Sequence, residues 1–460
     1  MGRHGNQGRA GGRDHRATHG AKRRSAEPPL TPRPSPAGDL PMPDIKPHRA
    51  SFGIVFAIVM IDMLGFGIVT PVLPGLIIDL THVDIGTAAE YAGWLGAGYA
   101  AMQFVFAPVI GNLSDRFGRR PVLLAAVFLL GLDYLLQAMA PHFWWLVIGR
   151  LIAGITGASF SAAYAYIADV TPPEKRAASF GMMGLAFGFG FVVGPALGGL
   201  LGSVDARLPF YAAAGLALTN FTFGLVFLKE SLSPENRRPF DWRKANAISS
   251  LKALRGQSPT VLWFVAALGT WQLAHVVYPA VWSYFAIAAY GFTVRDVGLA
   301  LAMVGFTSAI VQGLGLRIAL PKLGEQRAVV LGVFGLCASA ILYNVAREHW
   351  QVYLAIAVGA LQGFVQPPIS AFNSRAVDAR SQGELQGAVQ SIGSIAAIIG
   401  PPMYTQALAR FSGPHAIIDL PGMPMLLSAG ISVITLLLFW KGASLLKQEK
   451  PDQPSSSTSQ

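Results

Sequence analysis

Apolar runs of about twenty residues, the length a helix needs to cross a bilayer, recur along this chain between short polar breaks. Six of them lie near residues 50–72, 91–111, 121–140, 143–167, 179–201 and 208–228. Six more lie near 259–285, 297–316, 327–346, 350–372, 385–409 and 422–441. Between the two sets stands the one long polar segment between spans, KESLSPENRRPFDWRKANAISSLKALRGQS at 229–258. In hydrocarbon every backbone polar group must find its partner within the segment, which a helix provides. The pattern therefore predicts an all-α membrane protein of 12 transmembrane helices in two six-helix halves, 50–228 and 259–441, joined by a linker at 229–258. The flanks, 1–49 and 442–460, read as disordered tails on the same side.

Composition agrees with a polytopic membrane protein. Of the 460 residues 52% are hydrophobic and only 13% charged, and the mean hydropathy is +0.46. The net charge of +11 suggests nucleic acid until the 35 Lys and Arg are sorted by side. Thirty of them fall on the side of the tails and the linker, four (Arg207, Arg295, Arg347 and Arg410) fall opposite, and Arg150 stands within a span. By the positive-inside rule both termini are cytoplasmic. The expected setting is the bilayer of the cell (inner) membrane, with a multi-pass chain and no nucleic-acid partner. A single cysteine, Cys337, excludes an intrachain disulfide and a cysteine metal cluster. No nucleophile elbow, metal-ligand spacing or nucleotide loop is present, so neither an enzyme nor a bound cofactor is expected.

The charges that remain near or within spans are the candidate chemistry. GNLSDRFGRRPVLL at 111–124 sets Gly111, Asp115, Arg116, Gly118, Arg119 and Arg120 in a turn between two apolar helices, where they can pair with one another or with helix ends. A topology anchor accounts for the arginines as well. LPKLGEQRAVVLG at 320–332 echoes this hinge in the second half. Asp62 and Asp133 each lie mid-span, where a carboxylate costs about 2.5–3.5 kcal/mol, so both are expected to face the bundle interior. There they either carry protons or form fixed hydrogen-bonded contacts. Arg150, always charged, needs a partner, for which an inward aspartate is the candidate. Asp169 ends the same span beside Glu174 and is a candidate latch for the hinge. In the fifth span Gly190, Gly194, Pro195, Gly198 and Gly199 are read as one small-residue face for close helix contact. His275, with Gln272 one turn before it and Tyr278 one turn after, is either a proton relay or a packing residue. Gln103, Gln312, Gln362, Gln366, Gln386 and Gln390, with Trp271, Trp282, Phe187 and Tyr164, are candidates for a cavity suited to a mostly apolar, hydrogen-bonding small molecule.

Taken together, DMLGFGIVTPVLP, the GNLSDRFGRRPVLL hinge, GRLIAGITGA, AYIADVT and GFGFVVGPALGGLLG resemble the tetracycline/proton antiporters of the drug-export branch of the major facilitator superfamily. The likeness is strongest over 54–202 and continues through QLAHVVYPAVW, GEQRAVVLG and QGELQGAVQSI. It implies proton-coupled efflux of an amphipathic small molecule by alternating access, in a protein that works as a monomer. An uptake carrier, or a sensor of the same fold, is the alternative. The resemblance gives Asp62, Asp115, Asp133, Arg116, Arg119 and Arg150 coupling, gating or pairing roles. The GxxxGPxxGG pattern of the fifth span resembles the motif typical of exporters. Two departures stand out: where the family carries a histidine in the eighth span and an aspartate in the ninth, this chain has Ser308 and Leu336. His275 then becomes the candidate for a displaced titratable group.

Overall fold

A computed structural model describes residues 49–172, 175–241, 252, 254–377, 382–413 and 416–449. Twelve long helices follow one another: α1 (Arg49–Val69), α2 (Ile85–Phe117), α3 (Arg119–Ala138), α4 (Phe143–Val170), α5 (Arg176–Gly202) and α6 (Leu208–Phe227) make the first half. The second half holds α7 (Pro259–Tyr290), α8 (Val294–Leu323), α9 (Glu325–Val345), α10 (His349–Arg375), α11 (Gln382–Arg410) and α12 (Met423–Glu449). No strand occurs among the described residues. Eleven of the helices are long and apolar enough to cross a membrane. The other, α11, has the length, but Gln382, Gln386 and Gln390 make it more polar. α12 runs to Glu449, past the boundary expected at 441, and the first part of the linker, 229–241, is described as well. Glu174 and most of both tails lie outside the described residues.

Several spans break within their length. A short helix, Leu73–Thr81, follows the end of α1 at Val69. α4 is interrupted at Ala158–Ser159, α7 at Val276, α8 by a wide turn over Val311–Gly315, and α10 by a tight one over Ala360–Phe364. Backbone that departs from regular helix at membrane depth is tolerated where it borders a cavity or lies within protein. These breaks carry or adjoin Thr70, Ser159, His275, Gln312 and Gln362, all of which line the central cavity.

The turns between spans are shorter than the sequence suggests. Asp115 and Arg116 belong to the last turn of α2, and Gly118 alone links it to α3. Its φ of +105° is a conformation that L side chains rarely adopt. Gly324, with φ of +75°, makes the equivalent single-residue link between α8 and α9, so the repeat read from the two hinges is a repeat of backbone geometry. Their charges are exchanged. In the first half an arginine just after the link, Arg119, meets Asp169 at the end of α4. In the second a glutamate just after the link, Glu325, meets Arg375 at the end of α10.

Close packing follows small residues, because lipid tails leave van der Waals contact and hydrogen bonding to hold helices together. A methyl built on Gly194 would lie 2.7 Å from Gly67 Cα, and one built on Gly190 2.6 Å from Met63. With Gly198, which meets Ile68, these glycines form the seam of α5 with α1. Gly199 does not share that face: it meets Gly298 of α8, in the other half, while Pro195 touches both, its ring near Gly67 of α1 and its carbonyl near Gly298. Consecutive positions on a helix point about 100° apart, so Gly198 and Gly199 serve different neighbours.

Candidate functional site

Between the halves lies a cavity of about 1350 Å³, walled by α1 to α5 on one side and α7, α8, α10 and α11 on the other. None of its lining comes from α6, α9 or α12. The halves meet at the end where α2 and α8 begin. There Gly93 packs on Thr405 and Pro401, Gly86 on Ala409, and Gly199 on Gly298. Toward the opposite, hinge end the halves separate. Gly181, Gly184 and Gly188 of α5 and Gly313 of α8 have open space where a side chain would be, and Gly181, Gly184, Gly188 and Gly313 line the cavity. The cavity is thus sealed at one end of the bundle and reaches toward the hinge end.

Asp62 is on its wall, held from behind by Asn220 of α6. The Asn220 amide donates to Asp62 Oδ1 at 2.9 Å and to Ile58 O at 2.9 Å, while its own Oδ1, buried, has no partner. A carboxylate in this setting has one polar side chain against it and a cavity before it, an arrangement able to receive and yield a proton as access changes.

Asp133 lies behind the wall at 2% exposure and is absent from the cavity lining. Arg150 does not pair with it directly. Gln137, one turn along α3, donates to Asp133 Oδ2 at 2.7 Å and accepts from Arg150 Nη2 at 2.9 Å. The amide passes the interaction on because it presents a donor to the carboxylate and an acceptor to the guanidinium. Gly149 makes room for this relay: a methyl there would sit 2.7 Å from both Asp133 Oδ1 and Gln137 Cγ. Tyr99, Tyr134 and Tyr284 stand within electrostatic reach of Arg150.

On the second wall His275 projects into the cavity between the rings of Trp271 and Tyr278, each 5.9 Å away by centroid. Of the expected cavity groups, Gln103, Tyr278, Gln312, Gln362, Trp282 and Phe187 line it, as does Ser308. Gln272, Gln366, Gln386, Gln390, Trp271 and Tyr164 do not. Gln272 turns to Gly393 of α11, Trp271 is buried in the second half's core, and Gln366, Gln386 and Gln390 are exposed outside the cavity. Tyr164 stacks edge-on with Phe180. Leu336 also lies in that core at 1% exposure, so of the two departures only Ser308 alters the cavity wall.

The hinge residues assemble at the open end. Arg119 is held by Asp115 at 2.5 Å, Ser114 Oγ at 2.6 Å and Asp169 at 3.3 Å. Arg116 instead lies over the Phe117 ring, and Arg120 donates to Leu225 O at 2.8 Å. Gly111 accepts through its carbonyl from Ser114 Oγ. The start of the linker completes the cluster. Glu230 accepts from the backbone N–H of Arg119 at 2.8 Å and of Arg120 at 3.2 Å, thereby capping α3. Ser231 donates to Asp169 at 3.0 Å, and Arg238 N–H to Asp115 O at 3.1 Å. At the opposite end, outside the spans, Asp84 caps α2, and the Thr87 hydroxyl holds its carboxyl below the usual carboxylate range.

Asn220, Gln137, Tyr284 and Glu230 were not singled out from the sequence. Only Gln137 had a readable signal, its four-residue spacing from Asp133. Among the described residues no cluster of His, Cys, Asp and Glu is placed to hold a metal ion.

Comparison with known proteins adds the lineage. A family model described as Major Facilitator Superfamily matches residues 55–401. The class C tetracycline resistance protein of Escherichia coli is 38% identical over 394 residues, covering 85% of this chain and 96% of that protein. The class G tetracycline resistance protein of Vibrio anguillarum is 36% identical, covering 79% and 92%. Among solved structures, the human organic anion transporter MFSD10 (TETRAN) aligns with a TM-score of 0.62 at 23% identity, over 85% of this chain and 99% of that one. The nucleoside transporter NupG aligns with a TM-score of 0.66 at 13% identity, over 85% and 98%.

Proposed function

The chain belongs to the Major Facilitator Superfamily, and we propose that it is an inner-membrane exporter that moves an amphipathic small molecule, a tetracycline or a related compound, outward in exchange for protons. The observation that carries this reading is Asp62: a carboxylate on the wall of a cavity between two halves, with Asn220 as its hydrogen-bond partner. The relatives named as tetracycline resistance proteins support drug export as the direction. With the positively charged loops and hinge end facing the cytoplasm, the cavity is open inward, ready to load cargo from inside the cell. Rocking of the halves then presents it outward. Asp62 takes a proton from outside and releases it inside, and Asp133, Gln137 and Arg150 set the field beside the path. His275 and Tyr278 offer hydrogen bonds to cargo from the second half. The Asp115–Arg119–Asp169 cluster, clasped by Glu230, gates the cytoplasmic end, and the protein acts as a monomer with both tails cytoplasmic, the first of them basic.

One proton moved through 100 mV supplies about 2.3 kcal/mol, enough for roughly fifty-fold accumulation of a neutral cargo at 1.4 kcal/mol per tenfold. The test uses energised inside-out vesicles, in which the export direction points inward. Adding tetracycline, or members of a panel of amphipathic drugs, is expected to release protons from the lumen, and Asp62→Asn to abolish the response. Proton release that persists in Asp62→Asn would remove Asp62 from coupling. Silence toward every compound, from protein shown to be folded, would refute drug export and favour a metabolite carrier.

A further inference from the structure

The cavity wall contains three ionisable groups other than tyrosines, Asp62, Arg150 and His275, and among them Arg150 alone carries a fixed positive charge. Little of that guanidinium is spent. It has five N–H donors, it makes a hydrogen bond to Gln137 Oε1, and its buried Nε has no partner. No carboxylate lies within ion-pairing distance of it among the described residues, since Gln137 stands between it and Asp133.

Tyr284 of α7, in the second half, lines the same cavity and stands within electrostatic reach of Arg150. This side chain is 4% exposed and borders the cavity, and its hydroxyl has no hydrogen-bond partner. A buried, unsatisfied hydroxyl is costly unless something completes it. Tyr99, on the first half, adds a second phenol to the same wall near Arg150. The second half contributes no carboxylate to the cavity: its polar lining is His275, Tyr278, Trp282, Tyr284, Ser308, Gln312 and Gln362. A guanidinium beside phenol donors, whose nearest carboxylate, Asp133, is reached only through Gln137, is complementary to an oxygen anion. An organic cation would meet like charge there. The remaining wall, with Phe66, Phe187 and Phe191, suits an aromatic or alicyclic body.

We propose that Arg150 and Tyr284, one from each half, form a subsite for an acidic oxygen of the cargo, a carboxylate or an enolate, so that the preferred substrates are amphipathic organic acids. The inference rests on the reading of this cavity as the cargo site. Because each half supplies one of the two groups, an acid seated between them ties the halves together at the sealed end, and its departure requires them to part.

The test is equilibrium binding to the purified full-length protein in lipid nanodiscs, with no proton gradient. The probes are 2-naphthoic acid, its methyl ester and 2-naphthylmethylamine, which share one ring body and differ in charge. The acid is expected to bind at least tenfold tighter than the ester, and the amine weakest. Tyr284→Phe, which deletes one oxygen, is expected to cut the acid-to-ester ratio about fivefold by weakening the acid alone, and Arg150→Gln to abolish the preference. Should Arg150→Gln fail to fold, Tyr284→Phe decides. Equal affinity for acid and ester, tighter binding of the amine, or an unchanged ratio in Tyr284→Phe would each overturn the proposal, as would no binding of any probe. An acid preference in nanodiscs together with silent vesicles would leave the subsite standing and refute proton-coupled export alone.

Discussion

Gly298 is the sharpest point at which to test the sealed end of the cavity. A methyl added there would lie 2.5 Å from Pro195 O and 2.8 Å from Gly199 Cα, and both obstacles are parts of the helix body of α5 that cannot swing aside like the tip of a side chain. Overpacking of this kind costs about 1–3 kcal/mol. The strain exists only while α5 and α8 touch, so it acts on one of the two access states and relaxes when the halves part at this end. A differential of 1–3 kcal/mol is about a 5- to 150-fold shift of the equilibrium toward the state open at this end. Pairs of spin labels read it directly: one on Val204→Cys, one on Arg347→Cys, exposed on opposite halves at this end, with Cys337, the lone cysteine, changed to Ser. Gly298→Ala is expected to move the distance distribution to longer values and to slow efflux, and Gly298→Val to do so more strongly. Gly215→Ala, which fills open space, is the control and leaves the distances alone. Distances unchanged in folded Gly298→Val would refute the claim that this crossing seals the cavity at this end.

Two further predictions concern the ends of the bundle. Glu230→Ala removes the acceptor for the first N–H groups of α3 and is expected to cost about 1 kcal/mol, read as a lower unfolding temperature in detergent, whereas Glu235→Ala, an exposed site on the same linker, serves as the unchanged comparison. Asp84→Asn keeps a cap on α2 but loses the charge, worth about 0.5 kcal/mol at a helix N-terminus. Since the folded carboxyl titrates below its ordinary value, its contribution is complete above the unfolded value near 3.9 and is lost as pH falls through the folded value. The gap in unfolding temperature between the two proteins is thus expected to hold steady from pH 8 to 5 and to close in stronger acid. A gap that widened on acidification would reverse the sign of the argument.

The apolar runs predicted all twelve helices because in a bilayer backbone satisfaction and thickness leave little other choice. Asp62, Asp133 and Arg150 were legible for the same reason, since a charge within a span needs an interior reason to be there. The outcome for the glutamines shows where this legibility ends. Gln312 and Gln362 border the cavity while Gln366, Gln386 and Gln390 do not, and no periodicity distinguishes them because the spans are apolar on most faces. Gly199 was assigned to its neighbours' face because small residues look alike in a sequence, yet its partner Gly298 lies in the other half. Asn220 and Glu230 were invisible for a further reason: each acquires its role from a residue more than a hundred positions away.

That last separation bears on how the protein is made. The N–H groups that open α3 are satisfied by a carboxylate 111 residues downstream, beyond the fourth, fifth and sixth spans. While the ribosome is still synthesising those spans, Gly118 and the arginines after it stand at the membrane surface with no cap. The first half therefore closes its hinge only when the beginning of the linker has emerged. A chain cut at Leu228 would hold all six spans of that half and still lack the residue that locks them.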